Sequence, residues 1–155
     1  ELYAIGTCGR LLPEAAGKII IPTKAYRDEG TSYHYTSSLE PWAHIKTWER
    51  TKNILDSLNI QNIVGPIWTT DAVYRETPSA IKAMQKESCL GVEMECSALE
   101  TVCSYRNIRF AQVVFPAEKL DTSKWEEGIL TKLSKNMIDN YLNLIVEVAY
   151  RGEDK

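Results

Sequence analysis

The sequence is poor in the residues that build metal centres and disulfide frameworks. It has two histidines and four cysteines; Cys8, Cys89, Cys96 and Cys103 form no CxxC pair, and His34 and His44 stand at no ligand spacing from them. Zinc sites draw on closely spaced Cys and His pairs, so no metal is expected and reduced thiols of a cytoplasmic protein are favoured over zinc or disulfides. Long apolar runs are missing too. None approaches the roughly 20 residues that span a bilayer, and no basic segment precedes an apolar stretch at the N-terminus, so nothing points to a membrane or to export. Clustered positive charge is also absent. The net charge is -3 with Lys and Arg scattered along the chain, which argues against nucleic acid as a partner, because phosphate neutralisation needs cations gathered on one face.

What is present is an ordinary globular composition. Apolar residues make up 44% and charged residues 25% of 155 positions, enough to bury one core and neither disordered nor repetitive. No linker or low-complexity stretch divides the chain, so residues 1–155 read as one domain. The chain opens on Glu1-Leu2-Tyr3-Ala4-Ile5-Gly6 without an initiating Met, which reads as the middle of a strand and hence as a partial domain, a processed chain or one half of a split protein.

Hydrophobic patterning predicts alternating strands and helices. Leu2 to Ile5 reads as a buried strand ending in a small-residue loop, Gly6-Thr7-Cys8-Gly9. Ile19-Ile20-Ile21, between Gly17 and Pro22, reads as a central strand, and Ala25 to Ser38 as a structured loop. Trp42, Ile45, Trp48, Ile54, Leu55 and Leu58 recur at roughly helical spacing, predicting a helix over Glu40 to Leu58 with Asn59 helping to end it. Asn62 to Trp68 follows as a strand, then a helix opening at Thr77 and Pro78. Leu90 to Val92 predicts a short strand, Ser97 to Tyr105 a helix, and Arg109 to Phe115 a strand. Trp125 to Tyr150 reads as a long amphipathic helix with Arg151-Gly152 as its terminator. This alternation implies an α/β architecture.

Four segments could carry chemistry, each with a plainer alternative. Gly6-Thr7-Cys8-Gly9 offers N–H groups and a hydroxyl to an oxyanion, or is a tight turn. Glu93 and Glu95 flank Met94 directly after a buried strand; paired carboxylates there could hold the vicinal hydroxyls of a ribose, or mark a solvated helix start favoured by the dipole. Arg75 and Glu76 could read a heterocycle, or form a surface ion pair. Glu118 lies past a buried strand, where open α/β sheets keep their ligands, and could protonate a leaving group or belong to a surface turn.

Taken in order, Gly6-Thr-Cys-Gly9, the run Ile20-Ile-Pro-Thr-Lys-Ala-Tyr-Arg-Asp-Glu-Gly-Thr-Ser-Tyr-His34, Trp68-Thr-Thr-Asp-Ala72 and Gly91-Val-Glu-Met-Glu95 resemble the purine nucleoside phosphorylase and uridine phosphorylase superfamily. The likeness covers nearly the whole chain, and Val-Glu-Met-Glu is its most specific part. It implies a three-layer α/β/α fold with a central mixed sheet, incomplete at the N-terminus. It also implies that Val92 touches the base, that Glu93, Met94 and Glu95 hold ribose, and that Thr7 meets phosphate. Cys8 and Gly9 would border the base, Arg75 and Glu76 would lie in the loop that selects it, and Glu118 would stand where the family places an acidic residue against the purine. The sequence departs from the family at Ala4, where many phosphorylases carry an arginine, and in lacking the glycine-rich N-terminal phosphate loop. Glu118 replaces an aspartate, and the base-stacking aromatic falls on Val73 unless Tyr74 takes that role.

The resemblance therefore implies a pentosyltransferase that cleaves the N-glycosidic bond of a purine or pyrimidine nucleoside, with phosphate as co-substrate and no cofactor. Hydrolysis, as in the related nucleosidases, is the second expectation; a non-catalytic relative binding a nucleoside or a partner is the third. A homo-oligomer, or a complementing chain covering exposed sheet edges, is implied as well.

Overall fold

A computed structural model describes residues 1–119 and 135–153, without the side chains of 118–119, 135–137 and 153. Six strands and four helices follow in order: β1 (Leu2–Arg10), β2 (Ile19–Asp28), β3 (Trp42–His44), α1 (Trp48–Ser57), β4 (Asn62–Thr70), α2 (Pro78–Lys86), β5 (Gly91–Glu93), α3 (Cys96–Tyr105), β6 (Phe110–Lys119) and α4 (Lys135–Glu153). The sheet order is β3-β2-β4-β5-β1-β6. Pairs β2–β4, β4–β5 and β1–β6 are parallel, whereas β2–β3 and β1–β5 are antiparallel. One further antiparallel pairing, Ile20 opposite Val114, ties β6 back to β2 so that the sheet curls onto itself.

The three isoleucines of β2 show how the layers form. Successive strand side chains point to opposite faces. Ile19 and Ile21 accordingly pack with Ile54 and Leu55 of α1, Val148 of α4 and Val113 and Phe115 of β6. Ile20 points the other way, into a cluster with Ile67, Phe110, Val114 and the α3 cysteines Cys96 and Cys103. A smaller cluster seats Ile81 of α2 against Trp68, Cys89, Val92 and Leu11. Helices thus cover both faces of a mixed sheet in the expected three-layer arrangement. Burying each such Ile, Leu or Phe contributes about 1.5–3 kcal/mol.

Helix ends follow local chemistry. Thr77 caps α2 by accepting a hydrogen bond from the Ala80 N–H at 3.3 Å, with Pro78 in the first turn. Helices α1, α2 and α3 each end in a left-handed non-glycine residue, Asn59, Ser88 and Asn107. After each, an N–H reaches back five residues: Ile60 to Leu55, Cys89 to Met84 and Ile108 to Cys103, at 2.8–3.0 Å. These are Schellman closures that satisfy carbonyls left open by the helix. Helix α4 docks through Tyr141 stacked on Phe115, with ring centroids 3.7 Å apart.

Several sequence expectations are corrected. Gly6-Thr7-Cys8-Gly9 is strand, not loop, because β1 continues to Arg10 between β6 and β5. Strand β2 extends through Asp28 into the segment expected to be a loop, and β6 extends through Lys119. The helix expected from Glu40 starts only at Trp48. Before it, Trp42 to His44 pairs with Lys24 to Tyr26 as an edge strand, with Trp42 edge-on to Tyr26 and capped by the Lys24 ammonium at 3.8 Å. Arg151 and Gly152 lie inside α4 instead of ending it. A Cβ on Gly152 would overlap the Tyr3 hydroxyl, and its carbonyl accepts from Arg50 at 2.8 Å. The expected helical residues 125–134 lie outside the described residues.

Two tests follow. A Cβ on Gly91 would lie 2.8 Å from Cys8 Sγ and 3.1 Å from the Gly9 carbonyl, where β5 crosses β1. Gly91→Ala should destabilise the chain by about 1–3 kcal/mol in urea titration, and adding Cys8→Ala should recover part of that loss; an unaltered midpoint for Gly91→Ala would contradict this packing. Glu100 on α3 is buried, and burial holds its carboxyl above the ordinary range, against the pull of the Ser104 hydrogen bond and the Lys46 and His44 charges. A raised folded pKa means that this carboxyl contributes stability at low pH, which is lost as pH rises from its unfolded value through its folded one. Glu100→Gln should therefore gain stability relative to the parent as pH rises above the ordinary carboxylate range, and a difference that is flat or of opposite sign in thermal melts would refute it.

Candidate active site

The cleft forms where β1 and β5 meet. These strands share only two antiparallel pairs, Gly9 with Val92 and Arg10 with Gly91, before β5 turns away into α3. On the other side β1 runs parallel to β6 until a register shift between Cys8 and Gly9, which pair with Pro116 and Glu118 and leave Ala117 as the extra residue. Proline has no N–H to give the ladder, so a bulge beside Pro116 is expected, and bulges re-aim side chains next to sites. A cleft of about 940 Å³ opens here, lined by Ile5 to Gly9 of β1, Val92 to Glu95, Ala117, and Val73, Tyr74 and Glu76 from the turn after β4. That volume is of the size that accepts a small organic ligand.

Thr7, Cys8, Gly9, Glu76, Val92, Glu93, Met94 and Glu95 all line this one cleft. Arg75 ends the short turn Val73–Arg75 that forms its rim, without lining the cleft itself. Tyr74 on the same turn is 98% exposed, an aromatic ring at the mouth that stacks on no other ring among the described residues. The backbone of Glu118 pairs with Gly9 beside the cleft, and its side chain lies outside the described part of the structure.

The two carboxylates of the Val-Glu-Met-Glu run have opposite environments. Glu93 is buried and its oxygens accept four hydrogen bonds: from the Thr69 hydroxyl at 2.6 Å, the Glu95 N–H at 3.0 Å, the Cys96 N–H at 2.8 Å and the Gln112 amide at 3.0 Å. Three of these bonds fall on Oε2 and one on Oε1, so both oxygens are engaged by protein donors. Burial pushes the Glu93 carboxyl up, and the four hydrogen bonds oppose that shift without cancelling it. Glu93 thereby caps α3 from the third residue before its first turn, satisfying the N–H of its first residue and of the Glu95 that precedes it. Glu95 and Met94 are exposed to the cleft, and the Glu95 carboxylate makes no hydrogen bond among the described residues. An unengaged carboxylate facing a concave surface can accept from ligand hydroxyls.

Cys8 lines the cleft, yet its thiol is pushed up to about 12 by burial, with the Glu93 charge adding to the shift. It stays protonated and is no nucleophile at neutral pH. Among the described residues no three His, Cys, Asp or Glu side chains gather as a metal site, and no helix is long and apolar enough to cross a membrane.

Sequence reasoning passed over the polar residues beneath the cleft: Thr69, Ser97, Glu29 and Gln112, all buried. The one signal that could have marked them is polarity at the ends of apolar strands, as in Trp68-Thr69-Thr70 and Ala111-Gln112-Val113, where a buried hydroxyl or amide requires a partner.

Similarity to known proteins extends over nearly the whole chain. Purine nucleoside phosphorylase DeoD-type of Thermoanaerobacter sp. is 27% identical over 152 residues, covering 96% of this chain, and the chain spans 64% of that relative's length. Among solved structures, AMP nucleosidase from Bacteroides thetaiotaomicron superposes with a TM-score of 0.72 at 21% identity, over 96% of this chain and 58% of that one. The P. knowlesi homolog of P. falciparum PNP gives a TM-score of 0.72 at 18% identity, over 99% of this chain and 62% of that one. These two structures speak to the fold. The model of the phosphorylase superfamily matches residues 1–138, taking in every strand and the whole described lining of the cleft, and on that extent of agreement the chain belongs to the phosphorylase superfamily.

Proposed function

We propose that the chain carries the nucleoside site of a pentosyltransferase that breaks the N-glycosidic bond of a nucleoside. The observation that carries this reading is the pairing of two unlike glutamates at one cleft: Glu93, held by four protein donors, fixes the turn, and Glu95 stands open to accept from the vicinal hydroxyls of ribose. Met94, exposed beside it, supplies apolar contact for the sugar. Val92, Cys8 and Gly9 form the wall against which the base lies, and Glu76 with the neighbouring Arg75 borders its far edge. Thr7 offers a hydroxyl to the incoming oxygen nucleophile. In the reaction the bond from the anomeric carbon to the base nitrogen breaks through an oxocarbenium-like state, a new carbon–oxygen bond forms, and the base leaves with a proton. Glu118 is the acid that the family resemblance assigns to that last step.

A second reading, with water as the nucleophile, draws support from the charge of the lining. The described lining holds three glutamates and no Lys, Arg or His, and position 4 is Ala. Phosphate carries about one and a half negative charges at neutral pH, and like charges oppose its entry unless a cation is supplied from beyond this lining. Hydrolysis needs no such cation.

Release of free base from a panel of purine and pyrimidine nucleosides, with and without phosphate, separates the readings. Phosphorolysis predicts release that depends on phosphate and yields a sugar phosphate. Equal rates without phosphate would establish hydrolysis, and no release from any nucleoside would remove catalysis from this chain. Binding is tested separately. Glu95→Ala should weaken ribonucleoside binding by about tenfold or more in calorimetry, since hydrogen bonds to a charged acceptor contribute about 1.5–3 kcal/mol each, with a melting temperature close to the parent's because Glu95 is exposed. Unchanged affinity would take Glu95 out of the site.

A further inference from the structure

We infer that Glu29, which does not line the cleft, is a positioning residue for its sugar-binding arm, acting through Ser97; this rests on the nucleoside reading above.

The link is a continuous line of buried hydrogen bonds. Glu29 Oε1 accepts from the Ser97 hydroxyl at 2.8 Å. The Ser97 N–H donates to the Thr69 hydroxyl oxygen at 3.1 Å, and that hydroxyl donates to Glu93 Oε1 at 2.6 Å. Glu93 Oε2 then holds the N–H groups of Glu95 and Cys96. Glu29, Thr69, Glu93 and Ser97 are 6%, 0%, 4% and 0% exposed, so water cannot replace a missing member cheaply.

The direction of each bond is fixed. Every hydroxyl has one proton: Ser97 gives its proton to Glu29 and Thr69 gives its proton to Glu93, so an acceptor oxygen is required at each end. Glu29 is itself immobilised, because Oε2 accepts from the Ser32 N–H at 3.0 Å. The Ser32 hydroxyl in turn accepts from Arg27 Nε at 2.9 Å, and Arg27 Nη1 holds the carbonyls of Ser38 and Glu40 at 3.0 and 2.8 Å. The loop after β2 is thus pinned from within, and Glu29 projects from it to the first turn of α3. Ser97 stands two residues after Glu95, so a shift of that turn moves Glu95 and Met94 together while leaving Thr7, Cys8 and Gly9 on β1 in place.

Glu29→Gln keeps the size and removes the second acceptor: one of Ser32 N–H and Ser97 O–H must then face an amide NH₂. The experiment measures affinity by calorimetry for the tightest ribonucleoside of the panel and for its free base, in the parent, Glu29→Gln, Glu95→Ala and the double variant. The expected result is about a tenfold loss for the ribonucleoside in Glu29→Gln and a change under twofold for the free base. In the Glu95→Ala background Glu29→Gln should add under twofold, because its effect passes through the arm that carries Glu95. Ser97→Ala, which removes the hydroxyl but keeps the N–H to Thr69, should reproduce the pattern and serves if Glu29→Gln fails to fold. Equal losses for nucleoside and base, losses that multiply in the double variant, or an unchanged ribonucleoside affinity would each overturn the role. A parent chain that binds no nucleoside would overturn the underlying reading first, and is told apart by the parent's own titration.

Discussion

The fold around the cleft depends on one buried anion. Glu93 sits at the end of β5, and its carboxylate is where three separate pieces of chain converge: Thr69 of β4, Gln112 of β6, and the Glu95–Cys96 turn that starts α3. Removing a charge from water costs several kcal/mol even after relaxation, and only a full set of donors with a favourable helix dipole offsets it. The upward pull of burial on this carboxyl is the residue of that contest. A buried group of this kind contributes little net stability, but it admits one geometry, since any other arrangement leaves a charge or several donors unsatisfied.

That constraint explains where the cleft lies. Parallel pairs on each side, β4 with β5 and β1 with β6, meet at the short antiparallel contact between β1 and β5. Strands that diverge after two residue pairs leave a crevice at their ends, which is where open α/β sheets bind ligands. Gly91 allows the two backbones to approach, the bulge at Ala117 opens the opposite wall, and Glu93 anchors the turn that borders both. The pairing of Ile20 with Val114 adds a second tether, so β6 is held by β2 as well as by β1.

Much of this was legible in the residues. Ile19-Ile20-Ile21 announced a strand buried on both faces, Thr77-Pro78 a capped helix start, and Asn59 a helix end, because each rests on local conformational preference. Val-Glu-Met-Glu and Gly-Thr-Cys-Gly marked the two walls of the cleft through family resemblance. What stayed hidden was set by distant pairing. Trp42 reads as helical by its spacing to Ile45 and Trp48, yet it belongs to an edge strand because β2 offers unpaired backbone groups beside it. The glycines of β1 read as a loop because nothing local says that two other strands flank them. Glu29 and Ser97 are 68 positions apart, and no periodicity links them.

The four cysteines give the molecule an unplanned reporter. All are free and buried, and the one that borders the cleft, Cys8, holds its proton to about pH 12. Alkylating reagents and peroxide attack thiolates, so the native cleft is silent to both. Labelling of this chain would then keep time with the opening of its core, and a cleft ligand that slows labelling at Cys89, Cys96 and Cys103, which do not line the cleft, would do so by holding the protein against unfolding, without covering those sulfurs.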